Sequence, residues 1–176
     1  MKSQSMESHR KNVPREIKCG VITLSDSKFD DYQKNKNSSS DLSGHLLVEN
    51  LKPKYELADY SIIPDDSKML LETLEEMIIS KNIDVIITTG GTGIGNRDIT
   101  VETLKEIFEK ELSGFGEIFR AESYKELGAG AILSRATAGV YKNSIIIAMP
   151  GSPNAVQLGI DIIFNELGHL ARHLKE

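Results

Sequence analysis

Residues Ile83–Thr89 read IDVIITT and run straight into Gly90-Gly91-Thr92-Gly93-Ile94-Gly95. So short a segment, nearly all apolar and β-branched, is the pattern of a central strand in a parallel sheet, covered on both faces. The glycines that follow mark an abrupt turn at the strand's carboxyl end. The flanking chain supplies the other parts of such a sheet. Ile17–Leu24, Tyr55–Ile63 and Ser144–Met149 are further apolar strand segments. Between them lie helical patterns: one opened by Asp41 and ended by Pro53, one after Ser67, and one capped by Thr100. Gly114 and Gly116 are expected to break the chain before a further helix at Glu117–Leu127. Ala131–Tyr141 suits a short hairpin element, and Asn154–Leu174 a long terminal helix. Ser25–Ser40 reads as a flexible loop and Met1–Glu16 as a mobile tail. The order β-α-β-α-β-α-α-β-α implies one α/β domain over residues 17–176, with a mostly parallel sheet and helices on both faces.

In such sheets ligands bind beyond the carboxyl ends of the strands. Four polar clusters fall there: Ser25-Asp26, Pro64-Asp65, Gly90 to Asp98, and Pro150-Gly151-Ser152. Four glycines in Gly90–Gly95 exceed what a turn requires. They let backbone N–H groups approach ligand oxygens, which favours a phosphate cradle over a bare strand-to-helix turn. The segment is not a Walker A loop, since no Gly-Lys-Ser/Thr follows, and Asn96 stands where a dinucleotide fingerprint needs glycine. Asp65 and Asp98 each follow a strand and can reach the same edge. Two carboxylates near bound phosphate suit Mg²⁺; they equally suit helix capping. Pro150-Gly151-Ser152-Pro153 shapes a loop and can also start a helix.

The net charge of −5 argues against sequence-independent nucleic-acid binding, which needs clustered Lys and Arg. One cysteine, Cys19, allows neither an internal disulfide nor a thiolate zinc site. No apolar run approaches a bilayer span, and Met1–Glu16 lacks a signal-type apolar region, so a cytoplasmic location with no membrane partner is expected. His169 and His173 stand four apart in the terminal helix, a possible metal pair without the intervening Glu of the HExxH pattern, and are expected to be solvated.

Ile86–Thr100 (IITTGGTGIGNRDIT) resembles the signature of the MoaB/Mog family of molybdenum-cofactor biosynthesis proteins, MoaB branch. So do Val21–Asp26 (VITLSD), Ile63–Asp65 (IPD), Leu133-Ser134-Arg135 (LSR) and Met149–Gly151 (MPG), in the same order and spacing. The resemblance implies a three-layer α/β/α sandwich. It implies transfer of AMP from ATP to the terminal phosphate of molybdopterin, with Mg²⁺ required and pyrophosphate released. Asp65 and Asp98 match the two aspartates essential for activity; Mg²⁺ is expected to be held at least partly by Asp65, with Asp98 the second candidate ligand. Gly90, Gly91, Thr92 and Gly93 match the phosphate-holding loop. Ser25, Asp26, Ser134, Pro150, Gly151 and Ser152 match positions lining the pterin and nucleotide pocket, and Asp41 matches a further pocket aspartate of some members. A homotrimer or hexamer is implied, and the metal-insertion protein of the pathway is a partner on the same ground. Two alternatives stay open: a non-catalytic molybdopterin-binding protein, and a nucleotide pyrophosphatase on the same fold.

Overall fold

A computed structural model describes residues 17–176; the tail expected at Met1–Glu16 lies outside the described residues. Among the described residues, six strands form one sheet in the order β2-β1-β3-β6-β5-β4. β1 (Lys18–Leu24), β2 (Glu56–Ile63), β3 (Val85–Thr89) and β6 (Ser144–Met149) run parallel, with β3 between β1 and β6. β5 (Thr137–Tyr141) and the two-residue β4 (Lys110–Glu111) close one edge antiparallel.

Alternate strand residues feed two separate cores. Cys19, Val21, Val85, Ile87, Ile145 and Ile147 pack under α2 (Leu42–Leu51), α5 (Ser113–Leu127), α6 (Pro153–Ile163) and α7 (Leu167–His173). Ile22, Leu24, Ile86 and Ile146 pack under α3 (Ser67–Glu75) and α4 (Thr100–Ile107) on the opposite face. The chain is thus a three-layer α/β/α sandwich, as period-two alternation in doubly covered strands requires.

Four expectations need correction. Ser25–Ser40 is not all loop: Asp26–Asn35 forms helix α1, capped by Ser25, whose hydroxyl accepts from Lys28 N. None of its residues is buried, so it carries no apolar stripe by which a sequence pattern could reveal it. Gly114 and Gly116 do not break a helix but lie inside α5. Gly116 is there for close packing, since a Cβ would stand 2.5 Å from Ala136 O. Thr100 is the first residue of α4 and not its cap; its hydroxyl donates instead to Gly90 O. The terminal helix is two helices, α6 and α7, with a turn at 164–166.

Candidate active site on the carboxyl rim of the sheet

β1, β2, β3 and β6 all point their carboxyl ends to one rim, and the loops leaving them are tied to one another. After β1 and β2, Asp26 N donates to Asp65 Oδ2 and Asp65 N donates to Asp26 Oδ1, both at 3.1 Å. Each carboxylate therefore caps the other's backbone. Arg97 forks onto Asp26 through Nε (3.0 Å) and Nη2 (2.7 Å). This bidentate, charge-assisted pair holds the Asp26 carboxyl below the usual carboxylate range.

Asp65 has the opposite character. The helix cap that it might have supplied comes from Asp66, whose Oδ1 accepts from Met69 N at 2.8 Å. Asp65 Oδ1 is buried and accepts no hydrogen bond from the described residues. Burial raises the Asp65 carboxyl above its ordinary range, and the charges of Asp26 and Asp98 push the same way. The Asp26 amide and Arg97 oppose that rise without cancelling it.

The glycine loop follows β3. Gly90 and Gly91 have φ of +99° and +62°, a region that side chains other than glycine's seldom adopt. A Cβ on Gly90 would stand 2.1 Å from Leu24 O, and one on Gly91 would stand 3.0 Å from Asp65 Oδ1. The bare face of Gly91 is thus what lets the buried carboxylate oxygen sit against the loop. On the loop's far side, Asp98 Oδ1 and Oδ2 accept from Gly93 N and Gly95 N, each at 2.8 Å. Asp98 spends both oxygens bending the loop. Thr89 Oγ1 donates to Pro150 O, and Gly90 N donates to Met149 O, joining β3's exit to the loop after β6.

A family model described as "Probable molybdopterin binding domain" matches residues 20–169. The chain belongs to this molybdopterin-binding domain family. A molybdopterin adenylyltransferase of Pyrococcus furiosus is 45% identical over 97% of this chain and 99% of its own. A "probable molybdopterin adenylyltransferase" of Methanocaldococcus jannaschii is 48% identical over 92% of this chain and 96% of its own. The crystal structure of the tungsten cofactor synthesizing protein MoaB from Pyrococcus furiosus superposes with a TM-score of 0.82 at 44% identity, covering 93% of this chain and 99% of that one.

In this molybdopterin-binding domain, the other residues singled out from sequence fall in three places. Thr92 is buried in the glycine loop, and its carbonyl accepts from Arg135 Nε at 3.0 Å. Arg135 also forks onto Glu102, 2.6 and 2.8 Å to its two oxygens, which draws the Glu102 carboxyl below its usual range. Ser134, Pro150 and Ser152 line a recess of about 290 Å³ together with Phe119, Leu127 and Leu133. Ser134 Oγ is buried there with no partner among the described residues. Ser152 caps α6 by accepting from Ala155 N, and Gly151 O accepts from Ser43 Oγ.

Asp41 adjoins the rim at the start of α2: Ser43, two residues on, donates to Gly151 O. Asp41 is fully buried, with Oδ1 accepting from Gly44 N at 3.0 Å and Oδ2 accepting from Tyr60 OH at 2.6 Å. Burial and this bond push the Tyr60 phenol well above its ordinary value. Asp41 fixes the start of α2 against β2. Arg97 and Arg135 also belong to this region, inside the runs IITTGGTGIGNRDIT and LSR, and motif spacing alone does not mark them as site residues. Their partners are 71 and 33 positions away, so only the folded chain reveals the pairing.

Proposed function

We propose that this chain transfers the adenylyl group of ATP to the terminal phosphate of molybdopterin. An oxygen of that phosphate attacks the α-phosphorus, a new P–O bond forms, and the bond to the β-phosphate oxygen breaks to release pyrophosphate. The observation that carries the reading is the buried, unpartnered Asp65 Oδ1 set against the bare glycine loop. A buried acceptor with no donor asks for a cation or a proton. An oxygen-only donor set of one carboxylate suits Mg²⁺, which keeps several waters and takes its remaining ligands from substrate phosphates. When bound, Mg²⁺ supplies charge neutralisation at the phosphate oxygens.

The protein's own part is positioning and electrostatics, as phosphoryl and nucleotidyl transfer demand. Within the loop the N–H groups of Gly90 and Gly93 are engaged by Met149 O and Asp98, so Gly91 and Thr92 are the ones placed to offer backbone N–H groups at close range. Asp98 holds that loop in shape and, with both oxygens engaged, serves as a positioning residue more readily than as a direct metal ligand. Arg97, forked on Asp26 and exposed at the rim, is placed to meet incoming phosphate charge. The Ser134–Pro150 recess offers an apolar wall for a flat ring system. The likeness to relatives carrying the adenylyltransferase name favours this reading over a non-catalytic binding protein or a pyrophosphatase.

The resemblance brings with it a homotrimer or hexamer, a cytoplasmic setting and handover to a metal-insertion partner. No helix among the described residues is long and apolar enough to cross a membrane.

The test is pyrophosphate release by the purified chain given molybdopterin, ATP and Mg²⁺. Release that needs all three and stops on chelation is the expected result. No molybdopterin-dependent release would overturn the reading. Release from ATP alone would favour the hydrolase.

A further inference from the structure

The last helix, α7, carries His169 and His173 one turn apart on one face. Their Nε2 atoms are 3.1 Å apart, and the rings meet edge to face at 80° with centroids 4.5 Å apart. Two nitrogens bound to one Zn²⁺ at about 2.0–2.1 Å stand about 3.3 Å apart in a tetrahedral site and about 2.9 Å apart as neighbours in an octahedral one. The observed separation falls between these two values. The nitrogens stand at the spacing of neighbouring ligands of one ion, and the rings turn about their side-chain bonds to aim both lone pairs at it.

A second feature aims the pair. His173 Nδ1 lies 3.3 Å from Glu176 Oε2. A carboxylate this close to Nδ1 is placed to accept Nδ1–H once Nε2 binds a metal, the usual arrangement behind a metal-bound imidazole. Glu176 is itself fixed, because its Oε1 accepts from Arg172 Nε at 3.0 Å. The His173 side chain is 54% exposed, so a hydrated ion can reach it. Without metal, the same geometry serves a ring-to-ring hydrogen bond from His169 Nε2–H. Metal binding asks that His169 carry its proton on Nδ1 instead. Cys19, the sole thiol, does not compete: it is buried, and burial pushes its thiol up to about 12.

The geometry points to a site for one borderline divalent cation of the Zn²⁺, Ni²⁺ or Cu²⁺ class, ligated by Nε2 of His169 and His173, with Glu176 as the positioning residue. Imidazole nitrogens suit these ions and not Mg²⁺, so the site is distinct in chemistry as well as place from the carboxyl rim. No group of three His, Cys, Asp or Glu converges among the described residues. Water therefore completes the coordination, and affinity is weaker than in a four-ligand structural site. The ion links two turns of a helix whose inner face buries Leu167, Gly168 and Ala171 in the core. It thereby holds those two turns in helical form, and an ion that binds only the folded chain raises its stability.

The test is calorimetric titration of the full chain with Zn²⁺ alone, paired with thermal unfolding and imidazole NMR. One Zn²⁺ per chain is expected, with shifts at both imidazoles, a raised Tm, and no displacement by excess Mg²⁺. His169→Gln and His173→Gln should each weaken binding at least about tenfold, and Glu176→Gln by about tenfold, as loss of an orienting partner does. Circular dichroism checks that each variant folds. Absence of Zn²⁺ binding to the wild-type chain would overturn the proposal. So would equal affinity and stoichiometry in the wild type and the doubly substituted chain.

Discussion

Asp26 and Asp65 exchange hydrogen bonds: each accepts from the other's backbone N–H at 3.1 Å, across the exits of two adjacent parallel strands. The exchange is symmetric in geometry and asymmetric in consequence. Arg97 takes up Asp26 from outside, and Asp65 is left with a buried oxygen facing the glycine loop. One carboxylate is thereby occupied in holding the rim together, and the other keeps a buried oxygen that the described residues do not engage.

Asp65→Asn is therefore expected to lower turnover at least ~100-fold, the scale on which removing a preorganised charge acts. The amide keeps an oxygen to accept from Asp26 N, so the fold should survive. Steady-state kinetics with a Mg²⁺ titration, beside a thermal melt, checks both halves. Full turnover with an intact melt would remove Asp65 from the chemistry.

Asp98→Asn should act differently. It keeps one acceptor and loses the second, freeing either Gly93 N or Gly95 N. Turnover is again expected to fall at least ~100-fold, since misplacing a substrate-positioning loop is costly. The ATP KM should rise as well, and the amides of Gly93 and Gly95 should exchange hydrogen faster. Unchanged exchange alongside lost activity would make Asp98 a direct participant instead.

Gly90→Ala tests the turn itself. Alanine at φ +99° costs about 1–2 kcal/mol, and its Cβ would meet Leu24 O at 2.1 Å, which backbone cannot readily relieve. A loss of more than ~2 kcal/mol in denaturant unfolding is expected. Gly114, with nothing within 4 Å of its would-be Cβ, is the matched control inside α5. Alanine there should be neutral or stabilising.

How far this site could be read in advance follows from what held each part in place. β1, β3 and β6 are buried on both faces, so continuous apolar runs reveal them, and the loops leaving them bring Asp26, the glycine turn and Pro150 to one edge. The second cluster, around Ser134, depends on the 3₁₀ turn Gly128–Leu133 after α5, which no periodicity announces. Helix α1 escaped because it buries nothing. The two glycines taken as helix breakers escaped because tertiary packing overrode propensity. Spacing alone leaves Asp98 suited to metal binding and to helix capping alike, because it does not report which loop amides lie nearby. In the structure Thr100 reaches back to Gly90 O, and Asp98 gathers the amides of the loop.

The remaining prediction concerns pH. Asp65 in the folded chain holds its proton more tightly than an ordinary carboxyl, mainly through burial. Its charge thus weakens the fold at neutral pH, and that loss is relieved as pH falls through its raised folded value. Activity runs the other way, because only the ionised group can meet a cation. Asp26 has the opposite sign: its lowered value makes it stabilising above the unfolded carboxyl range, a contribution lost as pH falls through its folded value. The acid limb of kcat/KM should accordingly sit above the ordinary carboxylate value of about 3.9, and it belongs to the coupled pair. Arg97→Met removes the charge that holds both groups down, so this limb should move to higher pH. Asp65→Asn should flatten it in whatever activity remains. A limb unmoved by Arg97→Met would mean that some other group sets the acid dependence.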